Sequence, residues 1–134
     1  MMSQLYAHDS LPWDELASRK ALLSLLEAPQ YGGAWLIEAD GEAAGYLVIT
    51  IGFSLEFHGR YGLLDEFFVE PQRRSHGIGS AALAFADEQC RSWGLEALRL
   101  EADVHNSRAL ELYRRRGFQA HDRYLMTKWI APSC

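Results

Sequence analysis

The chain has 134 residues, 49% of them hydrophobic and 23% charged, with a formal net charge of -5 at pH 7. That balance fits one globular domain with a proper core and disfavours a nucleic-acid binder. Two cysteines, Cys90 and Cys134, without metal-like spacing, exclude a disulfide framework and predict a reduced, cytoplasmic setting. No apolar run reaches membrane-spanning length, and Asp9, Asp14 and Glu15 make the start unlike a signal peptide, so no membrane partner is expected.

Residues 1–10 read as a loose lead-in. A helix follows from Leu11-Pro12-Trp13-Asp14, with Ser10 as its cap and Leu16, Leu22, Leu23 and Leu26 as its apolar face; Pro29 ends it. Residues 34–38 read as a strand, Ala39-Asp40-Gly41-Glu42 as a hairpin turn, and 45–57 as a long strand with Gly52 marking a bulge or bend. His58-Gly59-Arg60 turns the chain into a central strand over about 61–69. A helix is predicted over about 77–93, with Leu83, Ala86, Cys90 and Trp93 on one stripe and Gly94 as its stop. Residues 95–104 alternate as a strand. Asn106 or Ser107 can cap a helix that Gly117 ends, and 118–130 reads as a closing strand pair. The expected class is α/β (α+β): a mixed, mostly antiparallel sheet flanked by helices.

The most informative stretch joins the central strand to the helix after it. Pro71 ends the strand because it cannot donate to a ladder, and Gly77-Ile78-Gly79 opens the helix. First-turn amides lack intrahelical acceptors, and the helix dipole favours an anion there. The glycines let the backbone approach a ligand, and Arg73 and Arg74 add positive charge suited to phosphate. The stretch reads as a pyrophosphate cradle.

Arg74-Ser75-His76-Gly77-Ile78-Gly79 resembles the Arg/Gln-x-x-Gly-x-Gly/Ala signature of the GNAT superfamily of N-acetyltransferases. A second segment, Asn106-Ser107-Arg108-Ala109-Leu110-Glu111-Leu112-Tyr113-Arg114-Arg115-Arg116-Gly117-Phe118, is similar to that family's Asn-x-x-Ala-x-x-x-Tyr-x-x-x-Gly-Phe. The resemblance covers about residues 34–130. The front end is shorter than usual, with no evident strand before the first helix. It implies the GNAT fold, splayed between its two central strands, and acetyl transfer from acetyl-CoA to an amine. It further implies that Arg74, Ser75, His76, Gly77, Ile78, Gly79 and Ser80 hold the diphosphate, and that the edge at Phe67 and Val69 pairs with the pantetheine arm. Asn106 would bond the arm or a water, and Arg115 or Arg116 would reach the adenosine phosphates. Members are often dimers, so a homodimer is an expected partner.

Acyl transfer to an amine needs a proton acceptor, a polarised carbonyl and a proton for the departing thiolate. Tyr113 matches the family's acid, and its phenol is protonated at neutral pH. For the base, Asp65, Glu66 and Glu101 stand as alternatives beside direct loss to solvent. Asp65 aligns with a glutamate of polyamine acetyltransferases and Glu101 with one of the ribosomal-protein alanine acetyltransferases. Strict alternation would set Asp65 on a face with Phe67 and Val69, and Glu66 on the other with Leu64 and Phe68. The expected acceptor is a small cationic amine, drawn by Glu38, Glu56, Asp65 and Glu66. Two other readings stay open: a protein N-terminal or lysine acetyltransferase, and a non-catalytic acyl-CoA sensor. No metal is expected.

Overall fold

The computed structural model describes residues 1–131, so Cys134 lies outside the described residues. Two helices lead, α1 (Met2–His8) and α2 (Glu15–Glu27). A 3₁₀ turn at Pro29–Tyr31 feeds the strands β1 (Gly32–Ala39), β2 (Glu42–Ser54) and β3 (Gly59–Val69). Then come α3 (Ile78–Ser92), β4 (Leu98–Leu100) and α4 (Ser107–Arg115). The four strands form one sheet in the order β1-β2-β3-β4, antiparallel until β4 joins β3 in parallel.

The start of the chain differs from the sequence reading. The lead-in is helical because Met1, Met2 and Leu5 have an apolar surface to cover: Tyr46, Val48 and Phe68 on one face of the sheet. The second helix is capped by Asp14, whose Oδ1 accepts from the Ala17 amide at 3.0 Å, and not by Ser10. Leu25 of α2 packs toward the same sheet face, whereas Leu16, Leu23 and Leu26 are exposed.

The other face carries the main core. Leu47, Ile49 and Leu64 meet Leu83, Ala86 and Cys90 of the stripe expected from spacing, together with Ala82, which was not in it, while Trp93 of that stripe is only partly buried against them. Truncating Leu83, which is 1% exposed, would cost about 2–5 kcal/mol. Gly52 marks no bulge; a Cβ there would sit 2.7 Å from the Tyr61 ring, so the glycine makes room for an aromatic across the ladder.

The irregularity that matters lies in β3. Val48 of β2 faces Glu66 while Ile49 faces Leu64, so Asp65 is the extra, bulged residue. The bulge breaks the alternation expected from sequence. Leu64 packs with α3, whereas Glu66 turns to the α1 face, where Tyr6 and Tyr46 reach it. Pairing of β3 with β4 stops at Leu64↔Leu100, so among the described residues no strand covers that side of β3 from Asp65 onward. The long strand expected over 95–104 shortens to Leu98–Leu100, and residues 118–130 contain no strand, which corrects the predicted closing pair. No described helix is long and apolar enough to cross a membrane.

Candidate active site

The split between β3 and β4 opens into a groove of about 1050 Å³, walled by the bulge, the loop before α3, the first turns of α4 and the end of α1. Among the residues singled out from sequence, Phe67, Val69, Arg74, Ser75, Gly77, Gly79 and Ser80 line it. So do Asp65, Glu66, Glu101, Asn106 and Tyr113. His76 and Ile78 do not: His76 is exposed, and Ile78 opens α3 as its first residue.

The loop is shaped for amide donors. Ser75 and Gly77 both take left-handed backbone, with φ of 68° and 78°. Gly77 caps α3 without a side chain, so the amides of Ile78, Gly79 and Ser80 have neither an intrahelical acceptor nor a side-chain cap. A Cβ on Gly77 would meet nothing within 4 Å, but its left-handed φ suits glycine. A Cβ on Gly79 would sit 3.2 Å from Leu112 Cδ2 and 3.8 Å from the Phe67 ring, so this glycine lets α3, α4 and β3 converge. An unencumbered helix N-terminus opening on a groove fits a diphosphate.

The arginines divide by role. Arg74 donates from Nε to the Val69 carbonyl at 2.7 Å and stacks over Phe68, bracing the loop while lining the groove. Arg73 does not face the groove as the sequence suggested; it bonds Glu42 at 2.5 Å and the Ala39 carbonyl at 3.3 Å, fastening the β1–β2 turn. Arg116 pairs with Asp87 at 3.2 Å on α3, whereas Arg115 lines the groove. Arg108, which sequence reasoning passed over inside a recognised motif, bonds the Ser75 hydroxyl and ties α4 to the loop.

Tyr113 lines the groove, with its ring edge-on to Phe118 at 5.9 Å. Burial, and secondarily the Asp9 carboxylate, push its phenol above the ordinary tyrosine range, so it stays protonated. Asn106 caps α4: its Oδ1 accepts from the Ala109 amide at 3.2 Å, leaving the side-chain NH₂ for the groove.

The carboxylates are no longer equivalent. Glu66 accepts from the Tyr6 hydroxyl at 2.6 Å and from Tyr46 at 2.8 Å. Burial and that carboxylate push both phenols up, so they hold their protons and keep donating. Asp65 makes no hydrogen bond among the described residues and opens on the groove. Surrounding protein bulk, then Glu66 and Glu101, raise its carboxyl above the usual aspartate range. Glu101 lines the groove just past the end of β4, so it lies on a loop and not on the strand expected for it. The α1 contribution, Leu5, His8 and Asp9, was not foreseen. Its signal was the apolar spacing of Met1, Met2 and Leu5.

Comparison with known proteins agrees with this geometry. The profile of the acetyltransferase (GNAT) family matches residues 2–118, so the likeness begins well before residue 34. The chain is 33% identical over 86 residues to an aminoalkylphosphonate N-acetyltransferase of Salmonella typhimurium, covering 63% of this chain and 56% of that one. It is 34% identical over 90 residues to a thialysine N-epsilon-acetyltransferase of Bos taurus, covering 64% and 53%. The chain spans about half the length of the curated relatives it matches. An integron cassette protein from the mobile metagenome of Cole Harbour Salt Marsh superposes with a TM-score of 0.85 at 36% identity, over 98% of this chain and 82% of that one. The aminoglycoside N-acetyltransferase AAC(6')-Iy, solved with a CoA-based bisubstrate analogue, shares the fold with a TM-score of 0.82 at 17% identity, over 98% and 88%. With a matching profile over most of its length, a split mixed sheet and an uncapped helix at the split, this chain belongs to the GNAT acetyltransferase family.

Proposed function

We propose that this protein is an N-acetyltransferase that moves the acetyl group of acetyl-CoA to the primary amine of a small cationic molecule, by direct attack with both substrates bound. One observation carries the reading: a single groove joins the unsatisfied α3 amides, the uncovered β3 edge, the bulged Asp65 and the protonated Tyr113. The amides of Ile78, Gly79 and Ser80, with Arg74 and Ser75 beside them, hold the diphosphate. Phe67 and Val69 offer the strand edge to the peptide-like pantetheine, and Asn106 adds a donor. The coenzyme supplies the activated acetyl group.

The chain's own residues handle the protons. Asp65, with its basicity raised by burial and neighbouring carboxylates, accepts the ammonium proton through water. Tyr113 donates to the departing thiolate. Glu66 holds Tyr6 and Tyr46 and has no role as base. Asp9, Asp65, Glu101 and Asp103 line the groove and attract a cation. The relatives named for aminoalkylphosphonate and thialysine support an amine acceptor, and a cytoplasmic setting belongs to the same reading. A panel of amines assayed for acetyl-CoA-dependent thiol release tests it. Turnover with diamines or amino sugars is expected; thiol release with none of the amines while acetyl-CoA still binds would favour an acyl-CoA sensor instead.

A further inference from the structure

Left-handed backbone is rare away from glycine, and serine is not among the residues that tolerate it best. Among the described residues, four non-glycine positions have positive φ: Ser10, Asp40, His58 and Ser75. Of these only Ser75, with φ of 68°, lines the groove. A disfavoured conformation at a ligand site persists only where its surroundings hold it, and it serves to shape the site before the ligand arrives.

The surroundings of Ser75 supply such a hold. Arg108 donates to the Ser75 hydroxyl, and among the described residues that guanidinium pairs with no carboxylate. Arg108 stands in the first turn of α4, which is a fixed mount. Asn106 caps that helix at 3.2 Å, and Leu112 and Tyr113 pack against the main core. Reversing the sign of φ at Ser75 would swing its Cβ, and the hydroxyl with it, away from α4. The bond to Arg108 opposes that change.

The loop depends on this one residue. Ser75 lies between Arg74, which is bound to the Val69 carbonyl and stacked on Phe68, and Gly77, which caps α3. Its dihedrals aim the peptides that follow, and left-handed residues at 75 and 77 gather amides into a concavity suited to an anion. Glycine at 75 would take this backbone unaided, whereas serine needs a partner.

We propose that Arg108 is a positioning residue for the coenzyme: by holding the Ser75 hydroxyl it keeps the loop before α3 in the shape that receives a diphosphate. The proposal rests on the reading of the groove as an acetyl-CoA site. It differs from a direct grip, in which Arg108 itself pairs with a phosphate and the backbone of Ser75 is immaterial.

Calorimetric titration with acetyl-CoA separates the two. Arg108→Ala should weaken binding about tenfold, with the near-ultraviolet spectrum unchanged because Arg108 is exposed. Adding Ser75→Gly to Arg108→Ala should then tighten binding by about threefold or more, since glycine adopts the left-handed backbone without help. A direct grip predicts no such recovery. A smaller recovery, or an Arg108→Ala variant that binds as the parent does, would overturn the proposal. Ser75→Ala and Ser75→Gly give a second comparison with Arg108 intact. Both delete the hydroxyl and differ in backbone freedom, so the glycine variant should bind about threefold or more tightly than the alanine one; a smaller gap would also overturn the proposal. A parent that binds no acetyl-CoA would overturn the acetyl-CoA reading and the proposal together, whereas a binding parent without rescue would overturn the proposal alone.

Discussion

Replacing Glu66 with glutamine separates a tether from a base. In the native protein one carboxylate accepts from two phenols, at 2.6 and 2.8 Å. Glutamine keeps one acceptor oxygen, so one tyrosine hydroxyl loses its acceptor and the other bond becomes neutral. A hydrogen bond to a charged group contributes about 1.5–3 kcal/mol and a neutral one about 1. The site is only partly buried, and water reaching Tyr6 lowers the loss to roughly 1–2 kcal/mol. For a domain of this size that corresponds to a fall in Tm of about 4–10 °C, read by thermal unfolding at fixed protein concentration. Steady-state assays should show kcat within about fivefold of the parent, because the proton path runs through Asp65. A hundredfold fall in kcat with an unchanged Tm would refute the reasoning and make Glu66 the base.

Asp65→Asn should do the reverse. The folded protein raises the Asp65 carboxyl, so its contribution to stability is complete at acid pH and is lost as pH rises through the folded value. Removing the charge should therefore leave neutral-pH stability equal or higher while kcat/KM falls at least tenfold and loses its acid limb; a lower Tm with normal kinetics would contradict this. Tyr113→Phe should cut kcat by about 10²-fold or more with the acetyl-CoA KM within twofold, measured by thiol release; unchanged turnover would remove Tyr113 from the chemistry. Gly79→Glu should abolish acetyl-CoA binding by calorimetry, since it brings bulk and negative charge to a position where even a Cβ would stand 3.2 Å from Leu112; normal binding would refute the placement.

The order of β1, β2, β3, α3 and α4 was legible because apolar period, Gly and Pro marked each boundary, and Gly77 and Gly94 do sit at the ends of α3 with positive φ. Helix α1 was not, because its apolar residues cover a sheet face that exists only once β2 and β3 have paired. The bulge escaped for a related reason: period two assigns faces along an unbroken strand, and nothing in Leu64-Asp65-Glu66 announces that Asp65 is extra. That one residue decides which carboxylate meets Tyr6 and Tyr46 and which meets the groove. Arg73 and Arg74 look alike in sequence, but only the fold sends one to Glu42 and the other to Val69. Residues 118–130 read as a closing strand pair from sequence, yet a strand needs an edge to pair with, and none of these residues pairs with the described sheet.

Titrating ¹⁵N-labelled protein with acetyl-CoA and following the amide resonances tests the central claim most directly. Ile78, Gly79 and Ser80 should shift furthest, in proportion to the bound fraction, with Phe67 and Val69 moving next. A saturating titration that leaves those three amides in place, or moves only residues away from the groove, would contradict it.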